Sequence, residues 1–343
     1  MFKTILVPLD GSTRAEQALS VAACIARNSG GSLVLLQVVT SPIDFAWSVM
    51  ESPTEAQEVI DEDIAKAKEY LTSITTLAVL DGISTKTEVL PGDPALTILS
   101  VARASHADLI VMCSHGETGF KRWMMGSVSQ KVARHSPIPV LILREGAGGP
   151  TNLHPEGTRP VRVMVTVDGS VFAESALTPA AYLSAALSAP AQGELHIAQV
   201  LRVPNFARGT SPETDKVIAD TQEYLKRIEQ RFSEGELANL NLQVTSSVSI
   251  ETDIAGALIS LAEDGAEGEN GEQVERCDAI AMATHGRGGP QRWVMGSVTE
   301  RILSATRLPL LVVRPQKVKH GENGKATVAK SSSDGEQAWV GLL

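Results

Sequence analysis

The feature that most constrains this chain is that it repeats itself. Cys113–Lys131 reads CSHGETGFKRWMMGSVSQK, and Ala283–Arg301 reads ATHGRGGPQRWVMGSVTER. Each copy continues a short apolar run and ends in Gly-Ser opening an amphipathic segment, with Gly126-Ser127 and Gly296-Ser297 standing 170 residues apart. The echo extends upstream. VRVMVTVDGS answers FKTILVPLDGS, placing Asp168 158 residues after Asp10, and LHIAQVL answers LVLLQVV at an offset of 162. Several matches in one order mean a duplicated domain. Whatever one half folds into, the other must approximate.

Within the first half, strands and helices alternate. Lys3–Leu9 reads as a buried strand. Thr13–Asn28 carries Ala15, Ala18, Leu19, Ala22, Ile25 and Ala26 at helical spacing, with Ser12 as N-cap and Gly30-Gly31 as the stop. Leu33–Val39 is apolar throughout, as a strand covered on both faces should be. Glu55 to about Leu77 predicts a helix with Val59, Ile64, Ala67 and Leu71 inward; Ser84–Leu90, Ala95–Ala104, Asp108–Cys113 and Pro137–Leu143 supply strand, helix, strand and strand. This βαβαβαβαβ order calls for right-handed crossovers and a mostly parallel sheet, an α/β domain in each half.

The division expected is a first domain over residues 1–145, a linker over 146–159, a second domain over 160–315 and a disordered tail over 316–343. Residues 40–54, with Pro42 and Pro53, read as a loop or lid. Asp93 and Asp253 stand 160 apart but Asp108 and Asp278 stand 170 apart, so the second half has an insertion, placed in the acidic, Gly-rich Glu263–Arg276 and expected to be an exposed loop. A formal charge of -10 gives no support to a broad nucleic-acid surface. Three cysteines argue against a disulfide scaffold, and no apolar run approaches membrane-spanning length. The expected setting is cytoplasmic, with neither nucleic acid nor membrane as partner.

In a parallel sheet, ligands enter at the carboxyl ends of the strands. There Asp10 and Asp168 could orient a ribose, and Val39 and Leu201, ending the second strands, could flank a base. Gly116 and Gly286 permit close backbone approach. Gly126, Ser127, Val128 and Ser129, matched by Gly296, Ser297, Val298 and Thr299, open helices whose unpaired amides favour phosphate. His115 and His285 read as loop anchors, Trp123 and Trp293 as packing residues, and Cys113 and Cys277 as small fillers. Lys121, Arg122, Arg287 and Arg292 are basic residues near enough in sequence to approach phosphates. No Ser-His-acid or Cys-His pattern identifies a hydrolase or metal site.

Taken together, the paired motifs resemble two copies of the universal stress protein family, over nearly residues 1–144 and 160–315. The resemblance implies adenine-nucleotide-binding-like domains, each with five parallel strands in order 3-2-1-4-5, and an intrachain pseudo-dimer that could itself form a homodimer. It also implies ATP as ligand where Gly-x2-Gly-x9-Gly-Ser/Thr is present. Here Cys113 and Ala283 replace the first glycine of that motif, while Gly116, Gly126 and Ser127, and Gly286, Gly296 and Ser297, keep the rest. The function expected is adenine-nucleotide binding coupled to stress adaptation, with a signalling protein as candidate partner. Mg2+ would arrive with ATP, since no clustered carboxylates define a cage. The competing readings are a nucleotide-independent scaffold and a slow nucleotide hydrolase; no catalytic residue stands out.

Overall fold

A computed structural model of the chain describes residues 1–40, 53–114, 125–146, 149–150, 153, 160–202, 212–235, 237–267, 273–285 and 295–315. The first half runs β1 (Thr4–Leu9), α1 (Thr13–Ser29), β2 (Ser32–Val39), α2 (Pro53–Thr75), β3 (Thr85–Pro91), α3 (Pro94–Ala104), β4 (Leu109–Cys113), α4 (Ser127–His135) and β5 (Val140–Leu143). The second runs β6 (Arg162–Thr166), α5 (Val171–Glu174), α6 (Leu177–Ser188), β7 (Gly193–Leu201), α7 (Pro212–Glu234), β8 (Leu242–Ile250), α8 (Ile254–Asp264), β9 (Ala279–Ala283), α9 (Ser297–Ala305) and β10 (Leu310–Val313).

Local chemistry sets the element ends. Ser12 accepts the Ala15 amide at 3.2 Å, and Gly30 closes α1 in the left-handed region at φ 58°, its amide returning to Ala26 and Arg27. In the second half the equivalent helix is split. Ser170 caps α5, and Pro179 falls in the first turn of α6, where the amide it lacks would have had no helical partner. The strands alternate between two cores. Ile5, Val7 and Leu9 pack with Leu33 and Leu35 on the α1 side, while Leu6, Val34 and Leu36 pack with Ile98 and Val132 on the side of α3 and α4. Two covered faces explain the nearly unbroken apolar strands.

All ten of these strands form one sheet, in order β8-β7-β6-β9-β10-β5-β4-β1-β2-β3. Each half contributes five parallel strands in order 3-2-1-4-5. The halves join where β5 and β10 pair antiparallel, Val140 opposite Val312, Leu141 opposite Leu311 and Ile142 opposite Leu310. Both strands are wholly buried, VLIL and LLVV. Left open, either would be a flat apolar edge that templates aggregation; each instead covers the other. A second contact sets α1 against α6. The Asn28 side chain donates to the Ala186 carbonyl at 2.8 Å, and Phe2 meets Tyr182 edge-on at 6.1 Å. The tandem domains are an intrachain pseudo-dimer built as one continuous sheet.

Two details differ from the sequence reading. Val59 is 52% exposed; the buried row of α2 is Ala67, Leu71 and Ile74, with Ile64 half-buried. A helix advances about 100° per residue, so Val59 falls outside the face that this row selects. The described residues of the insertion also include regular structure rather than loop alone. Glu263 and Asp264 complete α8, and Ala266–Glu267 pairs antiparallel with Gln273–Val274. Glu263 accepts from the Thr306 hydroxyl at 2.9 Å and the Arg307 amide at 2.6 Å, tying the start of the insertion to the end of α9. The lid segment over residues 41–52 and the tail over residues 316–343 lie outside the described residues.

Candidate functional site

At the mouth of β1 the chain builds the same turn in each half. Asp10 Oδ1 accepts the Ser12 amide at 3.0 Å and the Ser12 hydroxyl at 2.6 Å; Asp168 Oδ1 accepts from Ser170 at 2.9 and 2.6 Å. The intervening Gly11 and Gly169 sit at φ 85° and 82°, where a side chain would be strained. Each aspartate is thereby fixed at the strand end, and its serine partner caps the following helix. Strand two ends beside it. The Val39 carbonyl accepts the Gly92 amide at 3.0 Å and the Leu201 carbonyl accepts the Glu251 amide at 3.0 Å, so both are engaged with the chain leaving strand three.

On the other side of β1, β4 hands over to α4 and β9 to α9. The Gly126 amide donates to the Ser114 carbonyl at 2.7 Å and the Gly296 amide to the Thr284 carbonyl at 2.9 Å. Ser129 and Thr299 are buried, and their hydroxyls turn inward: Ser129 Oγ donates to the Ser114 carbonyl at 2.8 Å, Thr299 Oγ1 to the Ala283 carbonyl at 3.0 Å. These hydroxyls brace the crossover from strand to helix. Ser127 and Ser297 are exposed, with Val128 and Val298 half-buried behind them. Among the described residues no side chain caps either Gly126 or Gly296. Gly116, Gly286, His115, Lys121, Arg122, Trp123, Arg287, Arg292 and Trp293 lie outside the described residues; His285 Nδ1 stands 2.9 Å from Thr284 Oγ1.

A matched pair of struts aims the two helices. Asp93 caps α3 through the Leu96 amide at 2.8 Å and meets Lys131 of α4 at 3.3 Å. Asp253 caps α8 through the Gly256 amide at 3.1 Å and takes Arg301 of α9 in a fork at 2.7 and 2.6 Å. In both, the backbone amide first and the cation second hold the carboxyl below its usual range.

A second duplicated pair escaped the sequence reading. The Tyr70 hydroxyl donates to Glu16 at 3.0 Å, and the Tyr224 hydroxyl to Glu174 at 3.2 Å, with Arg231 closing on Glu174 at 2.6 Å. Burial raises both phenols, and the neighbouring glutamate and the strand-end aspartate raise them further. Both stay protonated donors. The available signal was positional, since Glu16 follows Asp10 by six residues as Glu174 follows Asp168.

The halves differ at the first position of the glycine motif. The half-buried Cys113 aims its thiol at the Arg14 carbonyl, 3.0 Å away, bridging the end of β4 to α1; Ala283 has no such reach. Cys277 is buried, and that burial pushes its thiol up to about 12. It is chemically inert.

Among known proteins, the Universal stress protein family matches residues 1–144 and again residues 161–314. A universal stress protein of Methanocaldococcus jannaschii is 30% identical over 151 residues, 42% of this chain and 84% of its own length. Universal stress protein YxiE of Bacillus subtilis is 33% identical over 148 residues, 42% of this chain and 100% of its own. Among solved structures, a universal stress protein from Archaeoglobus fulgidus covers 91% of this chain and 98% of its own, with TM-score 0.55 and 22% identity. A functionally unknown protein from Pseudomonas aeruginosa PAO1 covers 92% and 93%, with TM-score 0.56 and 17% identity. At that identity the likeness speaks for the fold. Within the described residues no helix is long and apolar enough to cross a membrane.

Proposed function

This chain belongs to the universal stress protein family, and from that membership we propose that it binds an adenine nucleotide, ATP foremost, in a crevice at the strand ends of each half. One observation carries the reading: the fold has no need of glycine at position 296. Its backbone sits at φ -60° and ψ 145°, open to any residue, and among the described residues an added Cβ would meet nothing closer than the Thr284 carbonyl at 3.6 Å. Gly126 has the same conformation, φ -63° and ψ 151°. At Gly296, a glycine that neither its conformation nor the described neighbours demand leaves room for something from outside the chain. The uncapped first turn beside it supplies amides and the positive end of a helix dipole, which suit phosphate.

In this reading Gly126, Ser127, Val128 and Ser129, with Gly116, hold the phosphates of one nucleotide through backbone amides and the Ser127 hydroxyl. Gly296, Ser297, Val298 and Thr299, with Gly286, hold those of the other. Asp10 and Asp168 orient the ribose, and Val39 and Leu201 flank the base by apolar contact. Among the described residues no three His, Cys, Asp or Glu side chains gather as metal ligands; Mg2+ would be held by the phosphates that carry it in. Nucleotide occupancy would favour one arrangement of the strand-end loops over another and so change what a signalling partner meets, in stress adaptation.

Native mass spectrometry of gently purified full-length protein, with added ATP as competitor, tests this directly. The expected result is a bound mass equal to one or two adenine nucleotides, displaced by ATP. Protein that retains none, and takes none up at millimolar ATP, sinks the reading.

A further inference from the structure

Among the described residues, six buried side-chain polar atoms have no hydrogen-bond partner, and two of them stand at equivalent places in the halves: Oε1 of Gln37 and Oε1 of Gln199. The two glutamines occupy equivalent places in LVLLQVV and LHIAQVL. Gln199 is only 3% exposed. Each follows, by strand alternation, the side chains that face the first-helix core, Leu33 and Leu35 in one half and Leu195 and Ile197 in the other. Each therefore lies on the face shared with α1 or α6. Register sets Gln37 beside Leu9, the last residue of β1. Its amide nitrogen lies 3.7 Å from where a Cβ on Gly11 would stand, so the head group adjoins the Asp10-Gly11 turn. Gln199 follows Ala198, whose carbonyl accepts the Val167 amide one residue before Asp168.

A buried acceptor left unpaired is costly, and native proteins seldom keep one without reason. Here, among the described residues, the same atom of the same residue is unpaired twice, both times at the strand-two position next to the end of the first strand of its half. Coincidence of packing would not repeat across halves whose neighbouring strand residues differ, Leu36 against Ala198 and Val34 against His196.

We propose that Gln37 and Gln199 read the nucleoside: each Oε1 accepts a hydrogen bond from a ligand N–H or O–H group. The inference rests on the nucleotide reading and deepens it, adding a side-chain acceptor to the aspartate at the same mouth. The donor is a ribose hydroxyl or the exocyclic amine of the base. With Asp10 or Asp168 alongside, each pocket offers acceptors, and it discriminates by penalising any nucleotide that cannot donate there.

The test uses the full chain and isothermal titration with ATP and three analogues, lacking the 2′-hydroxyl, the 3′-hydroxyl or the 6-amino group. Wild-type protein should lose about tenfold or more in affinity for at least one analogue. Gln37→Met and Gln199→Met, similar in length but without the acceptor, should each weaken ATP by a similar factor in its own half. Neither should discriminate further against that analogue there. Their unliganded melting temperatures should hold or rise, because an unpaired buried acceptor has been removed. A glutamine serving only the fold would give the reverse, a lower melting temperature with unchanged affinity. Wild type that binds ATP and all three analogues alike overturns this inference and leaves nucleotide binding standing. Wild type that binds no nucleotide overturns both.

Discussion

The first half closes its first helix in one piece and the second breaks it; the first places a thiol at the mouth of β4 and the second a methyl group. Beneath these differences the two mouths are built alike, with the same aspartate turn, the same strut to α4 or α9 and the same glutamate–tyrosine pair. Duplication kept what frames the crevice and let the rest drift. The teaching is in the asymmetry. Glu300 stands in the first turn of α9, whereas α4 has no acid there, and Arg134 from the end of α4 reaches across to pair with Glu300. In the proposed reading the Glu300 carboxylate would repel a phosphate held at the start of α9, and Arg134, lent by the first half, would offset that repulsion.

The sharpest way to break the equivalence is to fill one mouth. Gly296→Phe should abolish nucleotide binding in the second half, a loss of a hundredfold or more by the count in native mass spectrometry, while the first half stays loaded. A thermal melt of the variant checks that the fold stands; among the described residues the nearest atom to an added Cβ is 3.6 Å away. The same substitution at Gly126 should mirror it. Binding unchanged at a mouth so filled, in folded protein, would remove phosphate from that loop.

Next in size come the residues that join the halves. Leu141 and Leu311 are opposite each other and fully buried. Truncating either to alanine should cost about 3 kcal/mol in denaturant unfolding. The double variant should fall short of the sum, as neighbours couple. Strict additivity would mean the two halves melt without leaning on this seam.

A comparable effect separates the halves by pH. His196 is buried, its ring nitrogens 2.9 and 2.8 Å from the Thr245 and Ser247 hydroxyls, and burial lowers its pKa to about 4, with Arg162 adding to the effect. The unfolded chain protonates first, so stability is fully present above the ordinary histidine pKa and declines as pH falls toward 4, by about 3 kcal/mol in all. The first half has Val34 there. His196→Val should flatten that decline in unfolding measured from pH 7 to pH 4; a slope identical to wild type would place the proton uptake elsewhere.

The smallest effect sharpens the electrostatic contrast. Glu300→Gln should tighten ATP in the second half by about twofold to fivefold, and Arg134→Gln should loosen it by a similar factor, both fading in high salt. The first half should not respond to Glu300→Gln. Titrations that show equal responses in both halves would detach the cross-repeat pair from nucleotide affinity at α9.

Much of this was legible in advance. Ser12 as N-cap, Gly30 as stop and the strand–helix alternation follow from short-range chemistry, and each stands where the pattern put it. Val59 lies off the buried face because one residue's slip turns a helical side chain by about 100°, and the neighbouring Ile60 gives the pattern little to choose by. The tyrosine–glutamate pairs and the two glutamines went unread because a polar residue in a strand or helix declares nothing until its neighbours are known.

The amino-acid order alone determined the duplicated α/β plan, since periodicity, caps and repeated glycines act over a few residues and need no partner to be recognised. It did not decide that two apolar edge strands would meet antiparallel and merge the halves into one sheet, that Ser129 and Thr299 would turn their hydroxyls inward, or that one glutamine amide oxygen per half would be buried without a partner among the described residues. Those outcomes depend on which groups, distant along the chain, exclude water from one another, and that is a property of packing in three dimensions.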